Sequence, residues 1–418
     1  MQDLIFKEPY RFVPPIRGWR GRFWTAVCRR VLPIFLKREY GIVDRDFRHI
    51  DRLLASMDAG HGVLLLANHS RLADPLTLGD LTNATGGRLF YAMASFHLFR
   101  QNAFQGYFLP RIGAFSILRE GVDNASLKFS IEALAIADRP LIIFPEGTVS
   151  RATDRLRPFL DGPATIGRMA ARRRAKGDGG KVVMHPLTIR YEFLDDVVAA
   201  VTPRIEAIEK RLSIRTRPDL SLIERAARLG RGLLALKEVE YLGEARSGDA
   251  FERASRLSEE LITPLEEKYE TETGPGDDIV VRVKAVRTAL APMLLGAEND
   301  VETADRLDRE LQQVYLSQQL VFYPRDYLAA DSPPEHLLET VERFEEDLTD
   351  RLDVYGRFRV IVHVGEAIEI GHERPPKGQS DPLLVETAAR INAAQSELAA
   401  EIAARRPGRE TVADLPLV

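Results

Sequence analysis

Thiol is nearly absent from this sequence, with Cys28 the single cysteine in 418 residues. One cysteine excludes an internal disulfide and any multi-cysteine zinc or iron–sulfur site, and it fits a reducing compartment, so the expectation is a cytoplasmic protein. Long apolar runs are also missing. A membrane-crossing helix needs roughly 18 such residues, and stretches such as Gly62 to Ala67 fall far short. The amino terminus has acidic Asp3 and Glu8 early and no apolar core followed by a small-residue cleavage site, so no secretory signal is expected. There is no G-x-S-x-G elbow, no G-x-x-x-x-G-K-[ST] loop, no H-E-x-x-H and no G-x-G-x-x-G. Serine-hydrolase, nucleotide-phosphate, zinc-protease and dinucleotide readings therefore lack their usual support. No metal and no tightly held cofactor is expected.

What is present is the composition of a folded, water-soluble chain, 45% hydrophobic and 29% charged, long enough for two or three units. The net charge of −4 hides an asymmetry. In residues 1–40 nine Lys and Arg face three Asp and Glu, so nine minus three gives +6 there and −10 in the remainder. Between those cations lie Phe6, Tyr10, Phe12, Trp19, Phe23, Trp24, Phe35 and several aliphatic residues, including both tryptophans of the chain. A basic, aromatic segment suits the bilayer interface, where indoles sit at headgroup depth and arginines meet anionic lipid. A helix packed on the rest of the protein would show the same spacing. Nucleic acid is not expected as a partner, because the remainder of the chain is acidic.

From residue 62 onward strands and helices alternate. Gly62–Ala67, Leu89–Ala94, Phe115–Leu118, Leu141–Phe144 and Val182–Tyr191 read as short buried strands, with helices near Ala125–Ala137 and Pro163–Lys176 between them. This predicts an α/β fold, a mostly parallel β-sheet flanked by helices. In such sheets ligands gather at the carboxyl ends of strands. There the sequence is rich in chemistry. After the first run comes Asn68-His69-Ser70-Arg71-Leu72-Ala73-Asp74, followed by Pro75 as a first-turn helix residue. A turn can fold His69 onto Asp74, and a carboxylate on Nδ1 leaves Nε2 free to act as a general base. Taken alone, Asp74 also reads as a helix cap beside an ordinary turn histidine. Further on, Gly113-Ala-Phe-Ser-Ile-Leu-Arg119 and Phe144-Pro-Glu-Gly-Thr-Val-Ser-Arg151 each end a strand with an arginine. Two guanidiniums at one rim could grip a phosphate or carboxylate, with backbone amides near Gly147 adding donors. Either arginine could equally form a surface ion pair.

These blocks, in this order and spacing, resemble the glycerolipid acyltransferase family, which includes 1-acylglycerol-3-phosphate acyltransferases. The NH-x4-D block resembles Asn68, His69 and Asp74; the G-x5-R block resembles Gly113 to Arg119; the FPEGT-x-S block resembles Phe144 to Arg151; a proline-centred block resembles Val183 to Ile189. The resemblance covers about 120 residues. It implies transfer of a fatty acyl group from a thioester, acyl-CoA or acyl carrier protein, to a hydroxyl of a lysolipid, with 1-acylglycerol-3-phosphate the first choice and another lysolipid or an aminolipid the alternative. It makes His69 the base and Asp74 its orienting partner. It gives Asn68, Arg119, Glu146, Gly147, Thr148 and Arg151 to substrate binding, with the arginines on a phosphate and Glu146 accepting from a hydroxyl or bracing an arginine. Two departures concern the acceptor: Val149 stands where many relatives carry arginine, and Ser116 replaces an apolar or aromatic residue. A thioesterase would use the same base with water as acceptor. A non-enzymatic membrane-associated scaffold of the same fold is the alternative from another class, and the intact His69, Asp74 and FPEGT argue against it.

Phe96, Phe99, Phe104, Tyr107 and Phe108 could line an acyl groove or dip into lipid, or form core. The cations Arg168, Arg172, Arg173, Arg174 and Lys176 complement a helix carboxyl end or could dock an acyl carrier protein or CoA phosphates. From Asp195 to Tyr355 the chain becomes amphipathic helix, and Arg359 to Ile370 then returns to β-branched alternation. A lone strand needs a sheet. The expected organisation is a basic aromatic segment at 1–40, an acyltransferase core at 41–195 and 356–405 with a large all-helical insertion at 196–355, and a tail at 406–418. Val360 to Val364 is expected in the same sheet as Leu64 to Leu66. The expected location is cytoplasmic, and the 1–40 segment leaves open peripheral attachment to the inner face of the membrane.

Overall fold

The computed structural model describes residues 10–415 apart from 122, 178–179, 297–299, 352, 374–375 and 377–379. Residues 1–9 of the basic aromatic segment and 416–418 of the tail lie outside the described residues. In chain order the first half comprises α1 (Gly18–Tyr40), β1 (Ile42–Arg48), α2 (Ile50–Asp58), β2 (Gly62–Ala67), α3 (Asp74–Gly79), α4 (Leu81–Ala84) and β3 (Tyr91–Ser95). It continues with α5 (Phe96–Arg100), α6 (Ala103–Phe108), β4 (Ala114–Ile117), α7 (Asn124–Ala135), β5 (Leu141–Ile143), α8 (Gly162–Arg174) and β6 (Val182–Phe193). Six helices follow: α9 (Val197–Arg211), α10 (Leu222–Leu242), α11 (Ala250–Lys268), α12 (Ile279–Gly296), α13 (Val301–Val321) and α14 (Pro334–Thr349). The chain then returns to strand in β7 (Phe358–Val364) and β8 (Ile368–Glu369) before α15 (Pro382–Ala404).

The eight strands of the described residues form one sheet in the order β1-β7-β6-β2-β5-β3-β4, with β8 also on β6. Strands β2 to β6 run parallel, so their carboxyl ends share one rim. β7 pairs antiparallel with β6 and parallel with β1. Val360 to Val364 is therefore in the same sheet as Leu64 to Leu66. Pro186 can donate no hydrogen bond, and it sits where the antiparallel partner of β6 changes from β8 to β7. β1 escapes the sequence pattern because its Ile-Val-Asp-Arg-Asp-Phe-Arg is charged and half-exposed, as an edge strand should be.

Side chains of β2 alternate between two cores. Val63, Leu65 and Ala67 face the one shared with α1, α2 and α3, whereas Leu64 and Leu66 face the one shared with α7, α8 and the start of α15. The long helical stretch packs as two sets. Residues of α9, α10 and α14 belong to the same apolar cluster as β6 and β7, while α11, α12 and α13 build a cluster of their own around Ile262, Val286 and Leu311. The insertion is thus half continuous with the sheet and half a separate layer.

Gly41 joins the amino-terminal helix to this sheet. It caps α1 with a left-handed φ of 66°, its N–H donating to Leu36, and a Cβ there would come within 2.1 Å of the Gly356 carbonyl oxygen. Gly41→Ala should therefore lower stability by about 1–3 kcal/mol. Urea unfolding checks this, and an unchanged midpoint would contradict the close approach.

Candidate active site

The rim formed by the carboxyl ends of β2, β5 and β6 brings the first and third sequence blocks together. His69 and Asp74 lie on the turn between β2 and α3, and His69 Nδ1 is 3.0 Å from Asp74 Oδ2. Asp74 is 0% exposed, and its carboxylate takes three donors: besides His69, Oδ2 accepts from the Arg71 N–H at 2.9 Å, and Oδ1 accepts from the Tyr191 hydroxyl at 2.6 Å. An ionised carboxylate can only accept, so the imidazole hydrogen sits on Nδ1 and Nε2 carries the lone pair. Asp74 is the first residue of α3 rather than its cap. The imidazole ring stacks on Phe144 with centroids 4.1 Å apart, which fixes its plane.

Among the described residues both oxygens of Glu146 accept from backbone amides, and no ion pair joins it to an arginine side chain. It is buried, with Oε1 accepting from the His69 N–H at 2.7 Å and Oε2 from the Arg157 N–H at 3.0 Å. Ser150 N–H donates to the His69 carbonyl at 2.7 Å, so the FPEGT loop grips both sides of the His69 peptide. Burial pushes the Glu146 carboxyl up to about 8, outweighing those two amide contacts, and the nearby Asp74 charge adds to the rise. Asn68 is engaged with the backbone as well. Its side chain donates to the Ile189 carbonyl at 2.9 Å and accepts from the Ile189 N–H at 2.7 Å, tying β2 to β6 instead of facing a ligand.

The remaining residues assigned to the acceptor lie at the same rim with new neighbours. Arg119 follows β4 and donates through Nη1 to the Gly147 carbonyl at 3.0 Å. Burial, with the Arg287 charge beside it, pulls its guanidinium down to about 10. Gly147 has a left-handed φ of 70°, which favours glycine at this turn, and the Leu160 side chain lies where a Cβ would sit. Thr148 Oγ1 accepts from Gln318 Nε2 of α13 at 3.2 Å. Arg151 pairs with Glu346 of α14. Ser116, one of the two departures from the family pattern, is buried in β4 and accepts from the Val13 N–H at 2.8 Å, pinning the amino-terminal segment to the sheet edge.

Tyr191 and Arg71 escaped the sequence reading. Tyr191 lies beyond the proline-centred block, and only the length of β6 brings it over the rim. Arg71, inside the four-residue gap, packs over the rings of Tyr191 and Phe358 and pairs with Glu342 at 2.9 Å. The cationic group at the end of α8 divides. Arg168 binds Asp381, and Arg174 donates to the carbonyls of Gly180, Ala135 and Gly60, leaving Arg172, Arg173 and Lys176 exposed. The aromatic group divides too: Phe96 and Phe99 are core, Phe108 is partly buried, and Phe104 and Tyr107 are exposed.

An oriented histidine–carboxylate pair at the rim of a mostly parallel α/β sheet defines a candidate acid–base transferase site. A family model described as Acyltransferase matches residues 46–190, the part of the chain that carries these blocks. A 1-acyl-sn-glycerol-3-phosphate acyltransferase of Streptococcus pneumoniae is 28% identical over 170 residues, covering 37% of this chain and 61% of that protein. The chain thus spans under two thirds of that relative's length.

The raised Glu146 carboxyl makes stability depend on pH. A folded-state value of about 8 against 4.5 means that the protonated form is favoured by folding, so its contribution is full below pH 4.5 and is lost as pH rises through 8. Thermal melting from pH 5 to 9 should show wild type losing stability relative to Glu146→Gln. Parallel curves would exclude titration of this group.

Proposed function

We propose that the protein moves a fatty acyl group from an acyl thioester, acyl-CoA or acyl carrier protein, to a hydroxyl of a lysolipid, most simply 1-acylglycerol-3-phosphate, in phospholipid synthesis. The observation that carries this reading is the His69–Asp74 contact, built from a fully buried carboxylate at the carboxyl end of β2. The Streptococcus pneumoniae relative, by its name, supports the acceptor class.

In this reading His69 Nε2 takes the proton of the acceptor hydroxyl as its oxygen attacks the thioester carbonyl. Asp74 holds the resulting imidazolium. Collapse of the tetrahedral adduct expels the thiolate, which takes the proton back from Nε2, so the base is regenerated. Tyr191 and the Arg71 amide act through Asp74 and are positioning groups. A thiolate leaves readily, and one base with nearby donors suffices for the step.

Location is part of the same proposal: a peripheral protein on the cytoplasmic face, held by α1. Among the described residues no helix is long and apolar enough to cross a membrane. Trp19, Phe23, Val27, Val31, Ile34 and Phe35 form an exposed stripe at spacings of three and four along α1, with Gly21, Thr25 and Leu36 buried on its other side. Trp24 instead packs edge-on against Tyr107 and Phe108 of α6, which adds exposed Phe104 and Tyr107 to the same apolar surface. Arg20, Arg22, Arg29, Arg30, Lys37 and Arg38 flank it.

Purified protein given a panel of lysolipids with acyl-CoA or acyl carrier protein donors, followed by mass spectrometry, should form a diacyl product only when lysolipid is present. His69→Ala and Asp74→Ala should each abolish transfer while circular dichroism stays unchanged. Substantial turnover by a folded His69→Ala variant, or thioester hydrolysis without acceptor, would sink the reading. Binding to anionic vesicles should weaken with salt and with Trp19→Ala plus Phe23→Ala in sedimentation assays. Salt-insensitive binding would remove α1 from the interface.

A further inference from the structure

We propose that the helical insertion supplies half of the acceptor headgroup pocket, with Arg287 of α12 and Tyr315 of α13 joining Arg119 to hold a phosphomonoester dianion; this rests on the function proposed above.

The argument begins with a charge imbalance. Glu120 follows Arg119 in sequence, is buried, and pairs with Arg287 from the insertion while His97 Nε2 approaches it at 3.3 Å. One carboxylate therefore sits among two guanidiniums and an imidazole. Arg119 contributes its only described hydrogen bond to a neutral carbonyl, that of Gly147. One full positive charge at this point has no counter-charge of its own among the described residues. Burial raises the Glu120 carboxyl, but the His97 contact and the Arg287 and Arg119 charges outweigh it and hold the group at about 2. Its charge is thus already committed.

The donors show the same excess. The Nε atoms of Arg119 and Arg287 are both shut off from solvent with no hydrogen-bond partner among the described residues. Buried polar atoms are normally paired, and buried donor atoms of two half-buried cations left over on facing elements mark a place for an anion. Arg157 repeats the pattern on the other side of the FPEGT loop: its Nε is buried and unpartnered, its guanidinium lies 3.8 Å from the centroid of Phe322, and its nearest described carboxylate, Asp278, is 3.8 Å away.

The insertion also fixes the wall of this space. Gln318 of α13 bonds Thr148 of the FPEGT loop, and Tyr315 lies three residues earlier on the same face of that helix. Burial keeps the Tyr315 phenol protonated, and so a hydrogen-bond donor, despite the opposing charge of Arg151. Val149 brings no cation to the loop, and Arg151 is engaged by Glu346. The second guanidinium beside Arg119 therefore comes from α12. A phosphomonoester, with nearly two negative charges and three acceptor oxygens, matches two guanidiniums and a phenol, whereas an ammonium-bearing headgroup would meet charge of its own sign.

Phosphomonoesters occur both on the lysolipid and on CoA, so the test separates them. Glycerol 3-phosphate is titrated calorimetrically into the full chain, and acceptor and donor KM are measured in parallel. Wild type should bind glycerol 3-phosphate. Arg287→Gln should weaken binding and raise the acceptor KM about tenfold or more, the size of one charge-assisted contact, with the donor KM unmoved and Arg287→Lys restoring part of the loss. Tyr315→Phe, which removes only a hydroxyl, should weaken both by a few-fold. Glu120→Gln added to Arg287→Gln removes the stranded carboxylate and keeps the test valid if the single variant unfolds. Unchanged glycerol 3-phosphate binding in folded Arg287→Gln would overturn the assignment, as would an effect on the donor KM alone. If wild type binds glycerol 3-phosphate through Arg287 yet acylates no lysolipid, the pocket stands and the function proposed above fails.

Discussion

The buried carboxylate of Asp74 is the constraint on which the site depends. A carboxylate shut off from water is costly unless it is hydrogen-bonded, and here an imidazole, a backbone amide and a phenol donate to it. Each donor comes with a structural condition. The His69 and Arg71 contacts require the turn after β2 to be tight. The Tyr191 contact requires β6 to run in register beside β2, and the Asn68 side chain clamps Ile189 of β6 through both its N–H and its carbonyl. Glu146 and Ser150 then bind the peptide of His69 to the loop after β5. Sheet register and the geometry of the His69–Asp74 pair are therefore one requirement.

The contact between the rim and the insertion adds a set of ion pairs to its apolar packing. Arg71 meets Glu339 and Glu342, Arg151 meets Glu346, Thr153 bonds Glu339, and His336 lies 2.9 Å from Asp154. Every residue from Pro334 to Phe344 is buried, so α14 is wedged between the rim and the α9–α10 pair. Burying ions in this way gains little net stability, because desolvation offsets attraction. What it provides is direction: each guanidinium accepts one carboxylate geometry, and the rim can be closed by α14 in one register. Burial pushes the Glu342 carboxyl up and Arg71 opposes it, which shows how closely desolvation and pairing are balanced there.

At the opposite end of the chain, α1 solves a different problem. One face holds Leu36 in the core and the other exposes Trp19 at 71%. The helix is anchored by Gly41 at its end and by the segment before it, where Val13 exchanges hydrogen bonds with Ser116 and Ile16 donates to the Pro110 carbonyl. A rigidly held apolar stripe keeps its orientation relative to the sheet.

The sequence by itself determined the strand-turn-helix rhythm, the residues of the His69–Asp74 pair and the return of the chain to the sheet at β7. These are local: apolar runs of strand length, turn residues and short motifs carry their meaning within a few positions. It also marked the α1 segment as unusual, leaving open whether the rings face core or solvent, since helical spacing is the same in both cases. The edge strand β1 was hidden by its charges. Only the tertiary structure decided that Asn68 pairs with the backbone of β6, that Glu146 accepts from the amides of His69 and Arg157, that Tyr191 donates to Asp74, and that Arg287, 168 positions after Arg119 in the numbering, stands beside it. Each of these depends on a partner supplied by another element, and a single chain of letters carries no record of which distant side chain a folded backbone brings within hydrogen-bond reach.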